Sequence, residues 1–143
     1  MFMKKLAYLF IVFLSIVPVS SALAQSKIPD LVGVWKVQGE GVLLNMKGND
    51  STQAKYSMDF HKPGAENVVE KQKGRLFYGY FKSPRKTEKY VGVISLDNKT
   101  AHWAGHFGLG QAKIVSPKKM EVIYLEANPQ GSEAWVETLS KQK

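Results

Sequence analysis

Along most of the chain, short runs rich in Val, Ile, Tyr and Phe are interrupted by turn residues, Gly, Pro, Asn or Asp. The interruptions recur roughly every ten residues, the spacing of short strands in a sandwich or barrel. No window of three turns carries apolar residues at i, i+3, i+4 and i+7, so helices are not expected. The clearest hairpin runs from Asn67 to Lys82, where Lys73-Gly74 turns Val68–Gln72 into Arg75–Phe81. A Gly there supplies a positive φ without steric cost. Further strands are predicted over Glu88–Leu96, Thr100–Phe107, Gln111–Val115, Met120–Ala127 and Glu133–Lys141, with Gly108-Leu109-Gly110 read as a turn. The first strand covers Leu31–Val37 and continues toward Leu44.

Eight strands with short connections must pair antiparallel with their neighbours. Closing such a sheet on itself removes both open edges. The expected fold is therefore all-β: an eight-stranded antiparallel up-and-down β-barrel, with an open sandwich as the alternative. Gly79, Gly92 and Gly105 fall inside strands, where they are expected to permit the sharp coil of a small barrel. The stretch Asn45–Ala65 holds Gly48, Asn49, Asp50, Pro63 and Gly64 and reads as one long loop, with a short strand at Tyr56–Phe60. Loops of that length are commonly lids or solvated insertions.

The N-terminus does not follow this pattern. Lys4-Lys5 precede an apolar run from Leu6 to Val17, and Ala22-Leu23-Ala24 follows Pro18. Positive start, apolar core and small-x-small site make a secretory signal peptide over residues 1–24. The apolar core is short of the ~20 residues that cross a bilayer. Cleavage after Ala24 leaves 119 of the 143 residues as a single domain, 25–143, with no later membrane span. The expected location is periplasmic or secreted. The chain has no Cys, which excludes a disulfide scaffold, a thiol nucleophile and a lipid anchor on cysteine.

Asp30-Leu31-Val32-Gly33-Val34-Trp35 opens the first strand. A G-x-W at the start of an eight-stranded barrel resembles the calycins, which include lipocalins and avidins. The resemblance implies that Trp35 closes one end of the barrel, with Gly33 ahead of it and a basic side chain from the last strand packed on its ring. Lys141 is the first candidate for that side chain and Lys143 the second; calycins use Arg there, whose flat guanidinium stacks better. The hairpin with its aromatic-Gly-aromatic run also looks like the second and third strands of avidins. Avidins place a polar residue two after the Trp to bind biotin, and this chain has Val37 there. Biotin binding is therefore not implied.

Net charge is +8, and +6 without the signal, which carries two lysines and no acid. Lys82, Arg85, Lys86 and Lys89 cluster around Ser83-Pro84, with Lys113, Lys118 and Lys119 as a second group. Basic residues beside aromatics could hold nucleic acid. Export argues against that partner, and the clusters read as solvated hairpin tips. His102 and His106, at i and i+4 on a strand, lie ~13 Å apart at ~3.3 Å per residue, too far for one metal. Neither a metal site nor a cofactor is expected. Nucleophile elbow, P-loop and H-E-x-x-H are all missing from the sequence. Glu121 and Glu126 fall on opposite faces of one strand, and Glu133 and Glu137 on the same face of the next. They read as solvated outer faces, though a pair could meet across the two strands.

Aromatics carry the functional reading. An eight-stranded barrel either fills its interior or holds one small ligand. The first expectation is a non-enzymatic exported protein holding a small apolar or aromatic molecule in the barrel mouth, with Tyr78, Tyr80, Tyr90 and Trp103 as candidate pocket residues. The second is a protein-interaction module with a filled barrel and outward aromatics, as an inhibitor, an assembly subunit or a homo-oligomer. The third is an enzyme using His102 or His106 with a carboxylate. A Tyr- and Trp-lined cavity favours the first, a packed lumen with an exposed apolar patch the second, and a His–carboxylate contact in a cleft the third.

Overall fold

The computed structural model describes residues 27–143 apart from 48, 49, 62, 107 and 130. Residues 1–24, read above as a signal peptide, and Phe107 lie outside the described residues. Among the described residues, nine strands follow in chain order: β1 (Gly33–Lys47), β2 (Asp50–Phe60), β3 (Glu66–Lys73), β4 (Leu76–Lys82), β5 (Thr87–Ile94), β6 (Thr100–Gly105), β7 (Gly108–Ser116), β8 (Lys119–Asn128) and β9 (Gly131–Lys141). Among the described residues there is no helix. All pairings are antiparallel. β3 to β9 form a meander, and β1 joins β3 on one side and β9 on the other, which closes an eight-stranded barrel.

β2 is the ninth strand. It pairs with the second half of β1, Glu40↔Phe60 through Lys47↔Asp50, while the first half of β1 pairs with β3. Most of the segment expected as a loop is thus a strand at the edge of the sheet. Alternation of Tyr56, Met58 and Phe60 with Lys55, Ser57 and Asp59 matches the period of a strand with one apolar face. That face is exposed.

One end of the barrel is packed shut. Trp35 is wholly buried, and its indole N–H donates to the Leu31 carbonyl at 2.9 Å. The segment before β1 crosses this end. Gln72 fixes it there, accepting from the Leu31 N–H and donating to the Pro29 carbonyl, both at 2.9 Å. Leu31, Ile94, Ala101, Ala112, Met120, Val122 and Leu139 complete the plug. The Lys141 ammonium lies 5.4 Å from the Trp35 ring centroid and donates to the Asp30 carbonyl. This is the closure that the calycin resemblance implies, with Lys in place of Arg. Gly33 is needed twice over: its φ is +134°, and a Cβ there would stand 3.0 Å from Lys141 Cε.

Outside, the wall carries an apolar belt. Tyr78, Val91, Leu109 and Leu125 occupy paired outward positions on β4, β5, β7 and β8, each about half exposed or more. Val42 and Met58 extend the belt across β1 and β2.

Candidate functional site

The other half of the lumen is open. Above the plug, residues of β1, β3–β6, β8 and β9, with the Ser83–Lys86 turn and the end of β2, surround a cavity of about 290 Å³. Its walls carry Phe81, Tyr90, Trp103, Tyr124 and Trp135. The barrel is therefore neither filled nor hollow throughout: one end is packed and the opposite end holds a cavity.

Room for four bulky rings, Trp103, Phe77, Trp135 and Tyr124, comes from glycine. A Cβ at Gly110 would stand 2.0 Å from Trp103 Cε2, at Gly92 2.3 Å from Phe77 Cζ, at Gly41 2.4 Å from Trp135 Cδ2, and at Gly108 2.3 Å from the Tyr124 hydroxyl. Three of these pairs face each other directly in the sheet: Trp103↔Gly110, Phe77↔Gly92 and Gly41↔Trp135. Each ring lies flat over a neighbouring strand because that strand has no side chain beneath it. The Gly108–Gly110 segment is accordingly strand, not turn. The same reason applies to Gly92, which sequence reasoning ascribed to coiling alone.

Of the four candidate pocket residues, Tyr90 and Trp103 line the cavity, with ring centroids 6.0 Å apart. Tyr78 and Tyr80 do not. They stand on the outer face of β4 with Leu76, while Phe77, Gly79 and Phe81 point inward. β4 is apolar on both faces, so its phase could not be read from alternation, and a one-residue choice exchanges the two sets. The Tyr90 hydroxyl donates to the Asn67 side chain and reaches the Val68 carbonyl at 3.1 Å. Burial, with Glu70 nearby, pushes its phenol well above the ordinary range.

Charge inside the lumen is the feature that sequence reasoning missed. Glu126 and Glu133 face each other across β8 and β9, and Glu137 follows on the same side of β9. All three line the cavity with Glu88, instead of lying on solvated outer faces. Lys86 turns inward from its hairpin tip, 2.7 Å from Glu126 and 3.5 Å from Glu88. Burial alone would lower the Lys86 pKa; the Glu126 hydrogen bond and the surrounding carboxylates outweigh it and raise it. The Tyr124 hydroxyl donates to Glu126 at 3.1 Å, with Glu88 at 3.4 Å, and burial beside these acids holds the phenol protonated far above its usual range.

His61 is the histidine of the site. Its Nε2 is 2.6 Å from Glu137 Oε1, and its ring stacks on Trp135 at 4.2 Å and tilts against Phe81 at 5.8 Å. The Trp135 indole N–H donates to Glu133 at 2.9 Å. His102 and His106 are exposed and lie outside this cavity. A signal for the inward acids existed in the sequence: Glu133, Trp135 and Glu137 share the period of two, so burial of the Trp carries both acids inward.

No protein-family model matches the chain, and no curated protein is found similar to it. Among solved structures, the fold is similar to that of an S-type phycobiliprotein lyase from Guillardia theta, at 10% identity and a TM-score of 0.39, over 79% of this chain and 89% of that one.

Proposed function

We propose that this protein is an exported, non-enzymatic binding protein whose barrel mouth holds a small apolar or aromatic molecule. The observation that carries the reading is the cavity of about 290 Å³ walled by Tyr90, Trp103, Tyr124, Trp135 and Phe81 above a packed floor. That volume sits at the small end of ligand pockets, roughly 300–1,000 Å³, and its apolar wall with a few convergent polar groups suits one compact ligand. The signal-like segment 1–24 supports export. The His61–Glu137 contact in the same cavity is the feature an enzyme reading calls for, through His61 rather than His102 or His106. Ser83, the serine in the wall, is engaged in its own turn, accepting from the Arg85 and Lys86 N–H groups. Native mass spectrometry of the protein purified from the cell that makes it tests the reading. A retained small-molecule mass is expected, and a bare protein mass under every gentle condition counts against a carrier.

A second reading, contact with another copy, is favoured by one observation. Among the described residues β2 pairs with β1 alone and exposes Tyr56, Met58 and Phe60, so its second edge and apolar face are open to another chain. Sedimentation of the parent and of Met58→Lys tests it: loss of a dimer in the variant supports the contact, and a monomeric parent removes it.

A further inference from the structure

The chain is strongly basic, yet its cavity is acidic. Five carboxylates line it, Asp59, Glu88, Glu126, Glu133 and Glu137, against two permanent cations, Arg85 and Lys86. Those cations are already engaged. Lys86 answers Glu126 and Glu88, and Arg85 lies 3.8 Å from Asp59. Glu133 and Glu137 remain. Glu137 is 7% exposed, and its partner is His61, which gives it a hydrogen bond when neutral and an ion pair when protonated. Glu133 accepts a single hydrogen bond, from neutral Trp135, and has no ion pair within 4.0 Å among the described residues. Glu133 is half-buried and feels Lys86, which already answers two other carboxylates, and a carboxylate drawn from water with only a shared counter-charge is costly. Two of them flank one indole on the same face of β9, pointing into an aromatic cavity.

We propose that the ligand is a small organic cation: an ammonium group on a compact apolar or aromatic body, the ammonium received by Glu133 and Glu137 and the body packed against Trp103, Tyr90 and Phe81. This rests on the carrier reading and names the charge of its ligand. The cation adds positive charge to a cavity in which five carboxylates outnumber Arg85 and Lys86, and ring faces attract cations in addition to apolar surface. A carboxylate ligand of the same shape would meet like charge on entry.

Calorimetric titration of the whole protein with three probes of one shape tests this: phenethylammonium, phenethyl alcohol and phenylacetate. The ammonium is expected to bind at least tenfold more tightly than the alcohol, and the acetate most weakly. Glu137→Gln and Glu133→Gln keep the side-chain volume. Each should reduce ammonium affinity at least fivefold and leave alcohol affinity within twofold, with circular dichroism confirming that the barrel is intact. Equal or tighter binding of the alcohol or the acetate overturns the inference while leaving a carrier in place. Unchanged ammonium affinity in both variants overturns it as well. Binding of none of the three at millimolar concentration removes the carrier reading and the inference together.

Discussion

Replacing Gly110 by Ala separates two accounts of the glycines in this wall. If they only relax the strand, Ala should stabilise the protein by about 0.4–1 kcal/mol, because it restricts the unfolded chain. The structure gives the opposite sign. The new Cβ would stand 2.0, 2.3 and 2.4 Å from Trp103 Cε2, Cζ2 and Nε1. Carbon atoms in ordinary contact sit ~3.5–4.0 Å apart, so the indole must retreat by roughly 1.5 Å. It is 9% exposed and has Tyr90 as its ring neighbour, which leaves the cavity as the direction of escape. Overpacking of this size costs about 1–3 kcal/mol, which exceeds the gain from Ala. Urea unfolding followed by tryptophan fluorescence should show a lower midpoint in Gly110→Ala at an unchanged slope. In a Trp103→Leu background the clash is removed, and the same substitution should become neutral or stabilising. A Gly110→Ala protein as stable as the parent, or a penalty that persists in the Trp103→Leu background, would refute the reasoning.

Three further outcomes are expected. Trp35→Ala should cost about 3–5 kcal/mol, because it empties the packed floor, whereas Lys141→Met should cost about 0.5–1 kcal/mol for the ring contact; thermal or urea unfolding checks both. Tyr90→Phe should cost about 1–3 kcal/mol in the same assay, since it strips the buried Asn67 side chain of the hydroxyl that it accepts from. Raised phenol pKa values also set a pH dependence. Above the ordinary phenol value of 10.0 an unfolded chain loses the Tyr90 and Tyr124 protons while the folded barrel keeps them. Stability should therefore fall as pH rises beyond that value. Phenolate absorbance should show two tyrosines that ionise only as the barrel unfolds. Their ionisation in step with exposed tyrosines, without unfolding, would contradict the burial described above.

What the sequence made legible was governed by local pattern. Turn residues between runs of Val, Ile, Tyr and Phe located the strands of the meander, and Gly33-Val34-Trp35 pointed to the closed floor. Three things were hidden, each for a physical reason. β4 has apolar residues on both faces, so Tyr78 and Tyr80 were placed inward and stand outside, while Phe81 is the ring that reaches the cavity. β2 is legible only as a short strand at Tyr56–Phe60, its first half and its pairing with β1 masked by Gly48, Asn49, Pro63 and Gly64 around it. Acidic residues on strands ordinarily face water. Glu126, Glu133 and Glu137 face inward because Trp135 and the strand register carry them there, and Lys86 folds in to meet Glu126. Only the three-dimensional register shows that Glu126 and Glu133 oppose each other and that His61, far away in sequence, closes on Glu137. The pairing of lumen rings with cross-strand glycines is a signal that could have fixed the phase of several strands. Gly79 and Gly92 mark the inward set of β4 and β5, where a ring needs the space.

The central claim is that a ligand enters the lumen from the end opposite Trp35. Nuclear magnetic resonance of the three indole N–H groups tests it most directly, because each Trp reports a different place. Trp35 sits in the packed floor with its N–H on Leu31, whereas Trp103 and Trp135 line the cavity. On titration with phenethylammonium, the Trp103 and Trp135 signals should move together and saturate, with Trp35 unmoved. Saturable movement confined to backbone signals of the outer belt, with both cavity indoles still, would contradict a ligand site inside the barrel.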